Sequence, residues 1–273
     1  MNNAYDTMIE NSFGDTGFKP KEGFISTGIE KLDRLLEGGI PHGFTTVILG
    51  SPGSSTEILV KQIATVGHVV YVSTEETKNE IVDTMKRFGW NVPPIDFVDI
   101  SSKYYSNVLE GEKRRVSIYE QRSKLKLKEL IELGSSGMPS TVTGEEDYLA
   151  VVSTKIKDLS VGEMLIINSL DFFLSQFRQE DVLKTIYAAK VGNMKNKGAF
   201  VIVMTKGVHG ELFERKMEGL ADCVLELDVI QKGSTFERYL SVKKMRNYAK
   251  KIGIARYVID DSGFVLEMIE RIM

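Results

Sequence analysis

The 273-residue sequence contains a single cysteine, Cys223, which rules out an intramolecular disulfide and any paired-cysteine metal or redox motif. A lone thiol of this kind reads as a small buried apolar residue. Long hydrophobic runs are missing as well. No window reaches the roughly 18 uninterrupted apolar residues of a membrane span, and residues 1–23 lack the basic-then-apolar order of a signal peptide. The expectation is a cytoplasmic protein with no membrane partner. Neither sign of charge is in strong excess: 35 Lys and Arg against 38 Asp and Glu give a formal net charge of −3, so the field of the whole molecule supplies no strong pull on nucleic acid. The histidines, His42, His68 and His209, are too scattered to suggest a metal or catalytic histidine, and no metal site is expected.

What is present is a regular alternation. Apolar runs at Thr45 to Leu49 and Val69 to Val72 are each followed by a helix-length amphipathic stretch, Glu57 to Val66 and Lys78 to Phe88, which reads as βαβ units around a parallel sheet. Further buried strands are expected at Ile95 to Val98, Met164 to Ile167, Phe200 to Met204, Cys223 to Leu227, Arg238 to Val242 and Tyr257 to Ile259. The last three follow one another without a helical stretch between them, so the sheet should end in antiparallel strands. A chain this long can bury one large α/β core. Residues 1–24, poor in large aliphatic side chains, read as a flexible N-terminal arm, and 25–273 as the folded domain. At about 101–143 the pattern breaks. A charged stretch, Lys113 to Leu133, and the run Gly134-Ser135-Ser136-Gly137-Met138-Pro139-Ser140 look like an insertion. Between residues 113 and 128 the basic residues Lys113, Arg114, Arg115, Arg122, Lys124, Lys126 and Lys128 interleave with Tyr119 and leucines. A solvated amphipathic helix accounts for them; a nucleic-acid or partner surface is the alternative.

The strand Thr45 to Leu49 runs into Gly50-Ser51-Pro52-Gly53-Ser54-Ser55-Thr56-Glu57, and a helix-like stretch, Ile58 to Val66, follows. This is the context of a phosphate loop, in which a glycine-rich turn behind a buried strand aims backbone N–H groups at an anion. In the G-x-x-x-x-G-K-[ST] pattern the lysine reaches the β and γ phosphates and the hydroxyl binds Mg²⁺. Counting from Gly50, Ser55 stands for the last glycine, Thr56 for the lysine and Glu57 for the hydroxyl. A carboxylate in a first helical turn gains about 0.3–1 kcal/mol from the helix dipole. Beside a triphosphate it repels instead, by about 4 kcal/mol for unit charges about 4 Å apart at an effective dielectric of about 20. Lys61, four residues on, is spaced to pair with Glu57 and soften that repulsion. An ordinary turn that never bound phosphate is the alternative reading.

The run Ile25-Ser26-Thr27-Gly28-Ile29-Glu30-Lys31-Leu32-Asp33, then Gly38-Gly39-Ile40-Pro41-His42-Gly43, resembles the opening of KaiC-like domains of the RecA superfamily. Val69-Val70-Tyr71-Val72-Ser73-Thr74-Glu75-Glu76-Thr77 is similar to that family's second strand ending in paired glutamates, and Arg87-Phe88-Gly89-Trp90 to the turn after its next helix. The resemblance covers about Ile25 to Asp99 and Met164 to the end. It implies an α/β RecA-like fold of three layers, with a mainly parallel central sheet and antiparallel C-terminal strands.

The same resemblance sets Glu75 and Glu76 where the family's acidic pair activates the attacking water, and a carboxylate at the carboxyl end of a strand can orient or deprotonate water. It sets Asn168, after the strand Met164-Leu165-Ile166-Ile167, in the Walker B position, where the family has Asp; an amide there lacks the anionic oxygen that holds Mg²⁺ and its waters. Asp171, three residues on, is expected to point elsewhere. Lys244-Met245-Arg246-Asn247 resembles the Lys-x-Arg finger that reaches the nucleotide of a neighbouring subunit, with a solvent-facing ion-pair cluster as the alternative. With lysine, hydroxyl and aspartate all replaced, the expectation is a non-hydrolysing pseudo-ATPase with an assembly or regulatory role and no cofactor. Two alternatives stay open. One is an ATP- and Mg²⁺-binding protein with weak ATPase activity, using Glu75 and Glu76 with Lys61 or Lys206 in place of the missing cation. The other is a DNA-binding recombinase-like accessory protein. The resemblance also implies homo- or hetero-oligomers with RecA/KaiC-like subunits.

Overall fold

In the computed structural model, which describes residues 21–123, 147–248 and 253–267, the chain opens with β1 (Phe24–Ile25), α1 (Glu30–Leu35) and β2 (Ile40–Pro41). An alternating series follows: β3 (Thr45–Gly50), α2 (Thr56–Ile63), β4 (Val69–Ser73), α3 (Lys78–Arg87), β5 (Ile95–Asp99), α4 (Ile100–Ser123), α5 (Tyr148–Asp158), β6 (Met164–Asn168), α6 (Asp171–Gln176), α7 (Gln179–Asn196), β7 (Ala199–Thr205) and α8 (Glu211–Leu220). Four strands complete it: β8 (Cys223–Lys232), β9 (Thr235–Met245), β10 (Gly253–Asp260) and β11 (Gly263–Glu267).

The main sheet has the order β11-β10-β9-β8-β3-β7-β6-β4-β5. From β8 to β5 all neighbours are parallel; β9, β10 and β11 add antiparallel strands at the other side. The parallel strands are apolar on both faces because helices cover both, so they read as continuous runs with no alternation. In β3, Ile48 joins α1, α2 and α3 in one core, while Val47 and Leu49 join α5, α6, α7 and α8 in the other. This is the expected three-layer α/β fold.

Two pieces of sheet were not legible in the sequence. β1 and β2 form a separate two-stranded antiparallel ribbon, and β11 pairs with β10 from Arg256↔Glu267 to Asp260↔Gly263. The ribbon's strands are two residues each, too short to show a period. Cys223 is buried, as read, and burial pushes its thiol up to about 12.

Helix α4 continues β5 and leaves the body. Ile100 is buried, Tyr104 meets Tyr148 and Phe172 edge-on, and Asn107 donates to the Tyr148 hydroxyl at 2.8 Å. Beyond Asn107 the described side chains are exposed, apart from half-buried Gly111. Arg114 and Arg115 pair within the helix with Glu110 and Glu112, at 3.5 and 2.7 Å. As far as it is described this charged helix is solvent-exposed; the Arg122 side chain, Lys124, Lys126, Lys128 and the run 134–140 lie outside the described residues, as does most of the expected N-terminal arm.

The opening segment is tied together by one carboxylate. Asp33, 1% exposed, accepts from the Ser26 hydroxyl at 2.5 Å, the Thr27 N–H at 2.8 Å and the Thr27 hydroxyl at 2.7 Å. Burial holds its pKa above the ordinary carboxylate range in spite of these donors. Removing it strands three buried donors, so Asp33→Ala should cost about 3 kcal/mol of unfolding free energy in urea titration; a loss below about 0.5 kcal/mol would show that the segment is held by other contacts.

Candidate functional site

The carboxyl ends of β3, β4, β6 and β7 meet at one edge of the parallel sheet, the end where open α/β sheets place their ligand sites. A cleft of about 130 Å³ opens there, walled by the loop Gly50 to Glu57, by Glu75, Asn168 and Ser169, and by Val203, Met204 and Thr205. The loop, Glu75 and Asn168, separated along the sequence, thus come together. Lys244 and Arg246 do not line this cleft.

Within the loop, Gly53 and Ser55 take left-handed conformations, with φ of 81° and 58°. Gly53 adopts this freely, whereas Ser55, where the pattern has glycine, does so against the usual preference. Thr56 begins α2 and turns inward, 8% exposed. Its hydroxyl lies 2.8 Å from the Ser54 hydroxyl, and a Cβ on Gly50 would fall 2.0 Å from the same oxygen. Gly50 is therefore required by the threonine that packs over it. Glu57 is exposed on the first turn and forms no ion pair among the described residues.

The loop's outer side is strapped by the antiparallel strands. Tyr257 on β10, buried and stacked on Phe264 with centroids 4.3 Å apart, donates its hydroxyl to the Ser54 carbonyl at 2.5 Å. Burial raises its phenol pKa. Arg238 on β9 donates to the Gly53 carbonyl at 3.2 Å. Ser51 is stitched to β8, its N–H to the Leu227 carbonyl at 2.8 Å and its hydroxyl to the same oxygen at 3.1 Å. Neither Tyr257 nor Arg238 was legible as a loop residue, because both contacts span more than 180 positions and leave no local signal.

The acidic pair is split between two partners. Glu75 accepts from the Ser169 hydroxyl at 2.6 Å, and Glu76 from the Lys61 ammonium at 2.6 Å. Lys61 does not pair with Glu57, as its spacing suggested. It is 1% exposed, and an ammonium buried that deeply requires the carboxylate that the end of β4 supplies. Asn168 donates its amide to the Tyr71 hydroxyl at 3.0 Å, on the floor of the sheet. Burial pushes the Tyr71 phenol well above its ordinary range, reinforced by the charge of Glu76 and helped against by the Asn168 bond. The Asn168–Ser169 peptide is cis, and Thr74 bonds across it, its N–H to the Asn168 carbonyl and its hydroxyl accepting from the Ser169 N–H.

Asp171 does not line the cleft: it accepts from the hydroxyl of Thr205, a residue of the cleft wall, at 2.6 Å and contacts His209 Nε2 at 2.7 Å. Lys206 is equally engaged, with Asp228 at 2.7 Å and Glu226 at 3.1 Å. Burial works to lower its pKa, yet these two carboxylates hold it above the ordinary lysine range. Lys244 and Arg246 lie beside the start of β8, at the opposite end of the sheet. Arg246 pairs with Asp222 at 3.0 Å, and Lys244 donates to the Glu218 and Gly219 carbonyls at the end of α8. Among the described residues no group of three or more His, Cys, Asp or Glu is arranged to hold a metal ion.

One known family spans the loop, the glutamates and the antiparallel strands together. The model of the family described as "ATPase: KaiC" matches residues 25–271. The chain belongs to the KaiC family. An uncharacterised relative, a UPF0273 protein of Thermotoga maritima, is 25% identical over 253 residues, spanning 89% of this chain and 95% of that protein. The circadian clock protein KaiC2 of Synechocystis is 22% identical over 87% of this chain but only 39% of its own length. The DNA repair protein RadA of Aquifex aeolicus is 24% identical over 87% of this chain and 45% of its own. Among solved structures, the KaiC-like protein PH0186 of Pyrococcus horikoshii superposes with a TM-score of 0.61 at 17% identity, covering 90% of this chain and 99% of that one. At that identity the likeness shows the RecA-like fold.

The packing of Thr56 over Gly50 predicts an interaction between the two positions. Gly50→Ala should lose about 2 kcal/mol or more by overpacking, and in a Thr56→Ala background at least half of that loss should disappear. Equal losses in both backgrounds, measured by a double-mutant cycle in urea, would mean that the threonine is not what excludes a side chain at residue 50.

Proposed function

We propose that this KaiC-family chain is a pseudo-ATPase subunit: it keeps the RecA-like fold for assembly or regulation, and its phosphate loop is braced by its own side chains. The observation that carries this reading is Thr56, whose buried hydroxyl bonds Ser54 and occupies the loop's inner side where the pattern has a lysine reaching outward to phosphate. The neighbouring residues work in the same direction. Glu57 puts a negative charge where the pattern has a metal-binding hydroxyl, and Asn168 gives its amide to Tyr71. The residues present do not fit a magnesium triphosphate, since no lysine, hydroxyl or aspartate stands in the positions that would hold it.

The reading of a weak ATPase needs a replacement cation. Lys61 and Lys206, the two residues considered for it, are each bound to carboxylates, and freeing the buried Lys61 from Glu76 would cost about 3 kcal/mol or more. Glu75 and Glu76 serve in this proposal as hydrogen-bond and ion-pair partners, with their water-activating role lapsed. The DNA-binding reading draws on the likeness to RadA and on the basic stretch 113–128, but Arg114 and Arg115 are answered by glutamates within α4.

Calorimetric titration of ATP and ADP, with and without Mg²⁺, together with a phosphate-release assay, tests the proposal. No heat of binding is expected up to about 1 mM nucleotide, equivalent to a binding free energy weaker than about −4 kcal/mol. The triple variant Thr56→Lys, Glu57→Thr, Asn168→Asp should gain Mg²⁺-dependent binding. Micromolar binding with turnover by the unaltered chain would overturn the proposal.

A further inference from the structure

Helix α7 carries two apolar stripes. Val182, Ile186 and Ala189 face the core. On its outer side Tyr187, Val191 and Met194, spaced by four and three residues, are 56%, 53% and 50% exposed. The outer side of a helix packed on a sheet is ordinarily polar. Three apolar side chains in this spacing form a ridge about 10 Å long at about 1.5 Å per residue, the surface over which a second helix packs.

A surplus of positive charge lies beside the ridge. Lys190, on the same helix, and Arg246 share one carboxylate, Asp222, at 2.8 and 3.0 Å; that carboxylate is buried. Lys244 adds a third cation, its pKa held below the ordinary lysine range by burial and by the charge of Lys190. The two features are continuous: Arg246 lies over the Phe44 ring at 5.6 Å, and the Phe44 carbonyl accepts from Asn193, the residue before Met194, at 2.9 Å. On the ridge's other side, Lys195 has no ion pair among the described residues.

We propose that this face docks an amphipathic helix of a partner protein, with apolar residues along its centre and carboxylates along its edges. The ridge supplies the buried contact, and the cations around Asp222, together with Lys195, set the sign of the partner's charge against a chain whose own net charge is −3. The proposal does not depend on the nucleotide reading. The face adjoins the amino ends of β3 and β8, where Asp222 also accepts from the Thr45 N–H at 3.0 Å, and the phosphate loop is at the opposite end of those strands.

The test is fluorescence anisotropy of the full chain with a labelled helical peptide of about 18 residues carrying leucines at i, i+4, i+7 and i+11 between flanking glutamates, and with the same peptide carrying lysines in place of the glutamates. The glutamate peptide should bind, losing about tenfold in affinity between about 50 and 300 mM salt, and the lysine peptide should not. Val191→Glu, at an exposed position, should weaken binding by about tenfold or more with an unchanged melting temperature, and Lys195→Glu should reduce the salt dependence. Equal binding of the two peptides, binding of neither, or full binding by Val191→Glu would overturn the proposal. So would self-association in sedimentation that Val191→Glu abolishes, since a second copy of the chain would then occupy the face.

Discussion

The position of strand β3 is the constraint on which the remaining geometry rests. It pairs in parallel with β7 from Thr45↔Phe200 to Gly50↔Thr205 and with β8 from Thr46↔Cys223 to Gly50↔Leu227. With both edges bonded and both faces under helices, it has no freedom to shift, because a slip by one residue would exchange the faces of Val47, Ile48 and Leu49. Gly50 is thereby delivered to a fixed point between the end of β7 and Leu227 of β8. The loop after it, the bend toward α2 and the cleft they form all inherit that point. At the other end of the same strand, Thr45 and Asp222 exchange backbone and side-chain bonds, so the cationic face is anchored to the same element.

Much of this is legible in the amino-acid sequence alone. Both-face burial turns the parallel strands into unbroken apolar runs such as Val69 to Val72, and the run of strands after Cys223 without helices announced the antiparallel side. The loop could be placed because strand, glycine turn and helix are contiguous. What stayed hidden depends on distance along the chain. Tyr257 reaches Ser54 across the whole domain, and nothing near either residue records it. Lys61 misled for a related reason: helical spacing offers Glu57, but burial depth decides the partner, and only the folded sheet shows that Glu76 stands beside the buried ammonium. β11 was missed because its short run follows a turn close to the chain end.

The polar groups of the site share one trait. Thr56, Glu75, Glu76 and Asn168 each have a partner within the chain. In a cleft shaped for a ligand, groups awaiting that ligand are ordinarily incomplete without it. Here these four side chains are partnered within the chain, while Glu57 at the rim forms no ion pair among the described residues.

The bond from Tyr257 to the Ser54 carbonyl ties the loop after β3 to β10, two strands beyond β8 in the sheet. A ligand loop is ordinarily among the first segments to open in native-state hydrogen exchange, independently of the core. Here the loop's carbonyls are held by β9 and β10, so its opening requires those strands to yield. These bonds couple the opening of the loop to the C-terminal strands, so its protection against exchange is expected to follow theirs.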